Sequence, residues 1–169
     1  MGDHARLSPS NHRWPHCPGS VAVEAQYPDI PGAAAVDGTG SHLLLETCLT
    51  SGKFPSDFVG TIIGVNHEDN PNGWMVDRER AERVQEALSY LVRRQMELSQ
   101  QFPGCSIAVE SESQADPGGM FGRDDWYGTC DITLSVFQGS RCLFLEVIDY
   151  KDGRGWVDVN NNTQLLSYL

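Results

Sequence analysis

Long apolar runs are missing from this chain of 169 residues. No stretch approaches the roughly 18 apolar residues that a membrane span needs. The opening residues, Met1 to Arg6, lack the apolar centre of a signal peptide. Gly2 follows the first Met, but Pro9 and the lack of a second membrane signal argue against a lipid anchor. Paired cysteines are also missing. The five cysteines, Cys17, Cys48, Cys105, Cys130 and Cys142, contain no C-x-x-C pair. An odd count at wide spacing argues against a disulfide framework and against a zinc finger, and suits free thiols in a cytoplasmic protein. Cys17, in His-Cys-Pro-Gly, alone has a setting that suits one ligand of a cluster. Basic residues are few: Lys and Arg total 12 against 23 acidic residues, for a net charge of -11. Nucleic-acid binders usually show a basic surface. Some of the carboxylates could be metal ligands, and a bound cation would invert the local field.

The remaining composition is that of an ordinary globular domain, with 40% hydrophobic and 21% charged residues. One domain over residues 1–169 is expected, with a Pro-, Gly-, Ser- and His-rich segment over 1–40. That segment reads as loops with a short helix from Val21 to Gln26. A buried helix is expected from Ser41, as N-cap, through Leu49. Gly52 to Gly73 reads as a long irregular connection. Met75 to Gln101 is the clearest helix. Val76, Ala81, Val84, Ala87, Leu88, Leu91, Val92, Met96 and Leu98 recur near a 3.6-residue period, and Pro103-Gly104 stops it. Its charged face reads as solvated surface, or else as a partner face. Strands follow at Cys105 to Ser111, Tyr127 to Phe137 and Arg141 to Lys151. Asp116 to Asp125 is a loop, and Gln138-Gly139-Ser140 a short hairpin link. Asp152 to Gly155 reads as a turn. A last helix runs from about Val159 to Leu169, with caps among Asn160 to Thr163. It ends without a helix-stop signal, which reads as a fragment, C-terminally truncated, or a natural minimal form. The order is helix, long helix, three strands, helix: an α/β layer with an antiparallel hairpin at its centre.

Chemistry concentrates on that hairpin. Gly128-Thr129-Cys130-Asp131 opens one strand and Asp149-Tyr150-Lys151 closes the next, so pairing brings Asp131 beside Asp149. Asp149 and Lys151, two apart, share a face. Two carboxylates suit a hard cation such as Mg²⁺ or Mn²⁺. The metal activates a water against a phosphodiester, and the ammonium orients it or stabilises developing charge. Gln164 and Tyr168, four apart, share a helical face and can hydrogen-bond a phosphate or hold Lys151. The rival reading is a strand-start Asp and a surface ion pair worth little. His4, His12, His16 and His67 fall in loop-like stretches and carry no assigned role. Trp14, Trp74, Trp126 and Trp156 read as core or rim residues, with base stacking by Trp126 or Trp156 as the alternative.

These motifs, G-x-x-D, then (D/E)-x-K at Asp149-Tyr150-Lys151, then Q-x-x-x-Y at Gln164 to Tyr168, resemble the RecB-type branch of the PD-(D/E)XK nuclease superfamily. Gly38-Thr39-Gly40-Ser41-His42 resembles the upstream G-x-x-x-H motif of that branch, where the His is usually a metal ligand. Glu110 resembles an additional acidic position of phage-type exonucleases, with Glu112 competing for it. Cys17 to Ser20, Asp149 to Gly153 and Asn162 to Leu165 resemble a phage-associated RecB-like family, and the likeness spans nearly the whole chain. Each motif alone is weak, and their order carries the likeness. The resemblance implies a restriction-endonuclease-like core, a mixed central β-sheet flanked by helices. It implies a metal-dependent DNA exonuclease of phage or mobile-element recombination or repair, acting on single- or double-stranded ends in the host cytoplasm. Mg²⁺ or Mn²⁺ would sit on His42, Asp131, Asp149 and the Tyr150 carbonyl. Lys151 would be the catalytic cation, supported by Gln164 and Tyr168. A homo-oligomer, such as a ring, and a recombination partner protein fit the same picture. Relatives with iron–sulfur clusters use three cysteines after the Q-x-x-x-Y motif. The chain ends one residue after Tyr168, so no cluster is expected. The alternative function is a catalytically weak nuclease fold that binds a host or phage protein.

Overall fold

The helix expected from the apolar period is α3, Arg78–Gln101. It starts after Met75 because Asp77 caps it: the carboxylate accepts from the Arg80 backbone N–H at 2.7 Å. Before the cap, Trp74–Met75 pairs with Ile62–Ile63 as a two-stranded antiparallel ribbon, β1 (Ile62–Ile63) and β2 (Trp74–Met75). Ala81, Val84, Leu91 and Leu98 form the buried stripe of α3. Val92 and Met96 lie off that stripe and are exposed.

This computed structural model describes residues 5–10, 13–27, 30–152, 157 and 160–168. His4, His12, Trp156, Val159 and Leu169, and the turn after Asp152, lie outside them. The short helix α1 spans Ser20–Glu24. Helix α2 spans Ala33–Ser51, so Ser41 is fully buried inside it rather than capping it. The alanine run at Ala33-Ala34-Ala35, the strongest helix former, carries the helix through Gly38 and Gly40. Those glycines cost propensity but permit close packing. A Cβ on Gly40 would lie 2.5 Å from Trp74 Cγ and 2.9 Å from Arg80 Nη1. Gly52, at φ +70°, ends the helix in the left-handed conformation. The connection that follows is less irregular than its composition suggests. It contains a 3₁₀ turn at Pro55–Phe58 and strand β1.

Three strands form the main sheet, in the order β3 (Ser106–Ala115), β4 (Gly128–Gln138) and β5 (Arg141–Ile148). Every pairing among the described residues is antiparallel. Among the described residues the sheet is therefore antiparallel rather than mixed. Consecutive strands joined by hairpins pair antiparallel, and parallel neighbours would need a crossover connection. Strand β3 runs on past Ser111 to Ala115, and β5 stops at Ile148, short of Lys151. The loop after β3 contains a 3₁₀ turn at Pro117–Phe121. Ile132, Leu134 and Val136 alternate along β4 and meet Leu44, Leu45 and Cys48 of α2 and the α3 stripe in one core. The result is an α/β fold of small antiparallel sheets flanked by helices. Helix α4 spans Thr163–Tyr168. Asn162 caps it, accepting from the backbone N–H of Gln164 at 3.0 Å and of Leu165 at 3.2 Å. No described helix is long and apolar enough to cross a membrane.

Candidate functional site

The site begins at Gly128, the first residue of β4. A Cβ there would lie 2.9 Å from Pro9 Cδ and 3.2 Å from Tyr168 Cε1. Only glycine lets the N-terminal segment and α4 close together on the strand at this point. Three residues on stands Asp131. The ladder pairs Ile132 with Ile148, and the same register places Asp131 opposite Asp149.

Each carboxylate is held by specific donors. Asp131 Oδ2 accepts the backbone N–H of Tyr150 at 2.7 Å, and its Oδ1 lies 3.4 Å from Nδ1 of His42 on α2. The His42 and Tyr150 rings approach to 5.2 Å between centroids. Asp149 Oδ2 pairs with Lys151 Nζ at 2.7 Å, and its Oδ1 accepts from Gln164 Nε2 at 2.8 Å. Gln164 Nε2 also reaches Tyr168 Oη at 3.5 Å. The fold thus gathers His42, Asp131, Asp149, Tyr150, Lys151, Gln164 and Tyr168 from α2, β4, the segment after β5, and α4. The Asp149 side chain is only 11% exposed, while Lys151 is 45% exposed.

Burial raises the Asp149 carboxyl above the ordinary carboxylate range. The Lys151 hydrogen bond and charge, and His42, pull the other way, and Asp131 adds to the rise. Burial also pushes the Tyr150 hydroxyl up to about 12, helped by the charge of Asp152. Tyr168 is raised chiefly by burial.

Glu110 stands outside this cluster. It pairs with Thr133, two residues beyond Asp131, and is exposed. It lines a cavity of about 540 Å³ with Leu49 and Thr50 at the far end of α2. Glu112 is the acidic residue opposite Asp131, flanked by the pairs Ser111↔Ile132 and Ser113↔Cys130. It sits at φ +52°. Burial, then the charge of Glu112, raises the carboxyl of Glu46, one turn after His42 on α2. Trp126 is half-buried, meeting Trp14 edge-on at 5.4 Å and stacking on Phe121 at 5.7 Å. Cys17 is exposed and unpaired with any other cysteine.

Four further residues escaped the sequence reading. Arg83 of α3 donates from Nε to Asp152 Oδ1 at 2.7 Å and from Nη2 to Oδ2 at 3.2 Å. Arg80, buried on the same helix, pairs with Asp37 of α2 and donates to the Met75 carbonyl at 3.2 Å. The available signal was two arginines flanking the inward-facing Ala81. Beside this network lies a cavity of about 580 Å³. It is floored by Ala34, Ala35, Gly38 and Thr39, and His42, Lys151 and Asp152 stand at its wall.

The donor set is a histidine and two carboxylates, which suits a hard divalent cation. As arranged, no group of three His, Cys, Asp or Glu among the described residues is gathered to hold a metal ion. Both oxygens of Asp149 are engaged, by Lys151 and by Gln164.

The chain belongs to the DUF2800 family, a protein family of unknown function, whose profile matches residues 4–169. No solved structure matches it.

Proposed function

We propose that this chain is a metal-dependent deoxyribonuclease of the PD-(D/E)XK type, built on a restriction-endonuclease-like core. The observation that carries the reading is the meeting of Asp131, Asp149 and Lys151 with His42 on one side and Gln164 on the other. Burying a carboxylate beside another costs free energy, and proteins retain such pairs chiefly where chemistry needs them.

His42, Asp131, Asp149 and the Tyr150 carbonyl would hold Mg²⁺ or Mn²⁺, once Lys151 yields one oxygen of Asp149. A bound cation of this kind supplies a polarised phosphodiester and a water acidic enough to attack it. The chain's own residues do the rest. The Lys151 ammonium, nearly half exposed at the cavity wall, stabilises charge developing on the phosphate. Gln164 keeps the Asp149 carboxylate oriented, and Tyr168 backs Gln164. Exonuclease action on DNA ends, in phage or mobile-element recombination or repair, is the form of this activity that the motifs favour.

Cleavage of single- and double-stranded DNA with Mn²⁺ tests the reading. Wild type should cut, and Asp131→Ala and Lys151→Ala should not. Equal activity in all three would sink it. The net charge of -11 favours a second reading, a nuclease fold that binds a protein partner. In that case Mn²⁺ would not raise the melting temperature, and a defined partner would be captured equally by wild type and by Asp131→Ala.

A further inference from the structure

Strand β5 ends at Ile148, so the residues from Asp149 to Asp152 have no ladder to fix them. Besides Gln164 on Asp149, two anchors replace it. One is the Tyr150 backbone N–H on Asp131. The other is Asp152, whose side chain is 4% exposed and which receives both prongs of the Arg83 guanidinium. A planar fork on a carboxylate fixes position and orientation together, which a single contact does not. Lys151 lies between the anchors and reaches back to Asp149. Helix α2 passes the same point. A Cβ on Gly38 would lie 3.8 Å from the Asp152 carbonyl oxygen, and one turn later the helix presents His42. Arg83 is itself steadied by Glu79, at 3.2 Å, and by Asp37, at 4.0 Å.

We propose that Arg83 is a positioning residue of the candidate site: through Asp152 it holds the segment after β5 so that Lys151 stays on Asp149 beside His42. The inference rests on the nuclease reading only for its consequence in catalysis. The fork also neutralises a buried carboxylate at the wall of the cavity that Lys151 faces.

The chain has two lysines, Lys53 and Lys151, which makes the test clean. In full-length protein carrying ¹⁵N-lysine, each ammonium gives one signal, and Lys53 is the internal reference. Arg83→Gln/Asp152→Asn removes both charges together, so no buried charge is stranded. It should raise proton exchange at the Lys151 ammonium roughly tenfold toward that of Lys53, the factor for losing one charge-assisted hydrogen bond. Arg83→Lys keeps the charge without the fork and should fall between the two. In parallel, Mn²⁺ affinity, read from the free-ion electron paramagnetic resonance signal, should weaken in the double variant. In DNA cleavage its kcat should drop while KM holds. A folded double variant with unchanged Lys151 exchange overturns the proposal, even where Mn²⁺ binding and cleavage persist. If the double variant does not fold, Arg83→Lys decides on the same signal, with wild-type exchange as the overturning result. Wild type that neither binds Mn²⁺ nor cuts DNA removes the nuclease reading, while the Lys151 signal still decides the positioning.

Discussion

Gly38 and Gly40 sit two residues apart in α2, and alanine at the two positions should act in opposite directions. In an exposed helix either change would stabilise by about 1 kcal/mol, because alanine loses less backbone freedom. At Gly38 little among the described residues opposes that gain: of these, the new Cβ meets the Asp152 carbonyl oxygen alone, at 3.8 Å, an ordinary contact. Gly40 is different. Its Cβ would lie 2.5 Å and 2.6 Å from Trp74 Cγ and Cδ1, and 2.9 Å from Arg80 Nη1. Trp74 cannot retreat cheaply. It is 5% exposed and its Nε1 donates to the Val36 carbonyl at 2.8 Å. Overpacking of a close-packed contact costs about 1–3 kcal/mol, and a lost hydrogen bond about 1 kcal/mol more. After the propensity gain, Gly40→Ala should cost about 1–3 kcal/mol net. At roughly 2–4 °C per kcal/mol for a chain of this size, that lowers the melting temperature by roughly 2–12 °C. Urea unfolding followed by circular dichroism measures both variants, and the midpoint should shift at similar slope. Gly40→Ala as stable as Gly38→Ala would refute the claim that α2 is seated on Trp74 and Arg80 through a missing Cβ.

Other outcomes follow from the same packing and charges. Leu134→Ala, at a fully buried core position, should cost about 2–5 kcal/mol in urea unfolding. Tyr150→Phe should leave stability unchanged or raise it, since the Tyr150 hydroxyl is buried without a hydrogen-bond partner. A clear loss in thermal unfolding would contradict that. The two aspartates flanking Tyr150-Lys151 should respond to pH with opposite signs. Burial raises Asp149 in the folded state, so its ionisation disfavours folding above the unfolded carboxylate value of about 3.9. Asp149→Asn should therefore stabilise at pH 7, by an amount that vanishes as pH falls through that value. For Asp152, burial is outweighed by the hydrogen bonds of Arg83 and Ser41 and the charges of Arg83 and Arg80, and the carboxyl is lowered. Its stabilisation is present above about 3.9 and is lost as pH falls through the lower folded value. Asp152→Asn should destabilise at pH 7 and converge with wild type in acid, and melting curves from pH 2 to 8 check both signs.

What the sequence determined by itself was local or periodic. The period of α3 and the short link between β4 and β5 are set by residue spacing and turn chemistry, so both elements could be read directly. Hairpin pairing brings Asp131 to the level of Asp149, but the register shift between Val136 and Phe137 is what sets the two directly opposite. The helical face shared by Gln164 and Tyr168 follows from their spacing of four. Tertiary packing decided the rest. Glycines at 38 and 40 argue locally against a helix, yet α2 runs through both, and at Gly40 Trp74 and Arg80 occupy the space a Cβ would fill. Strand β5 stops at Ile148, short of Lys151, where Asp131 captures the Tyr150 N–H and Arg83 captures Asp152. Glu112 rather than Glu110 falls opposite Asp131 in the register, since register depends on the pairing partner and not on the strand's own residues. The Arg83–Asp152 contact joins residues 69 apart in the chain. Only the packing of α3 against the segment after β5 brings them into reach, and no local propensity encodes that distance.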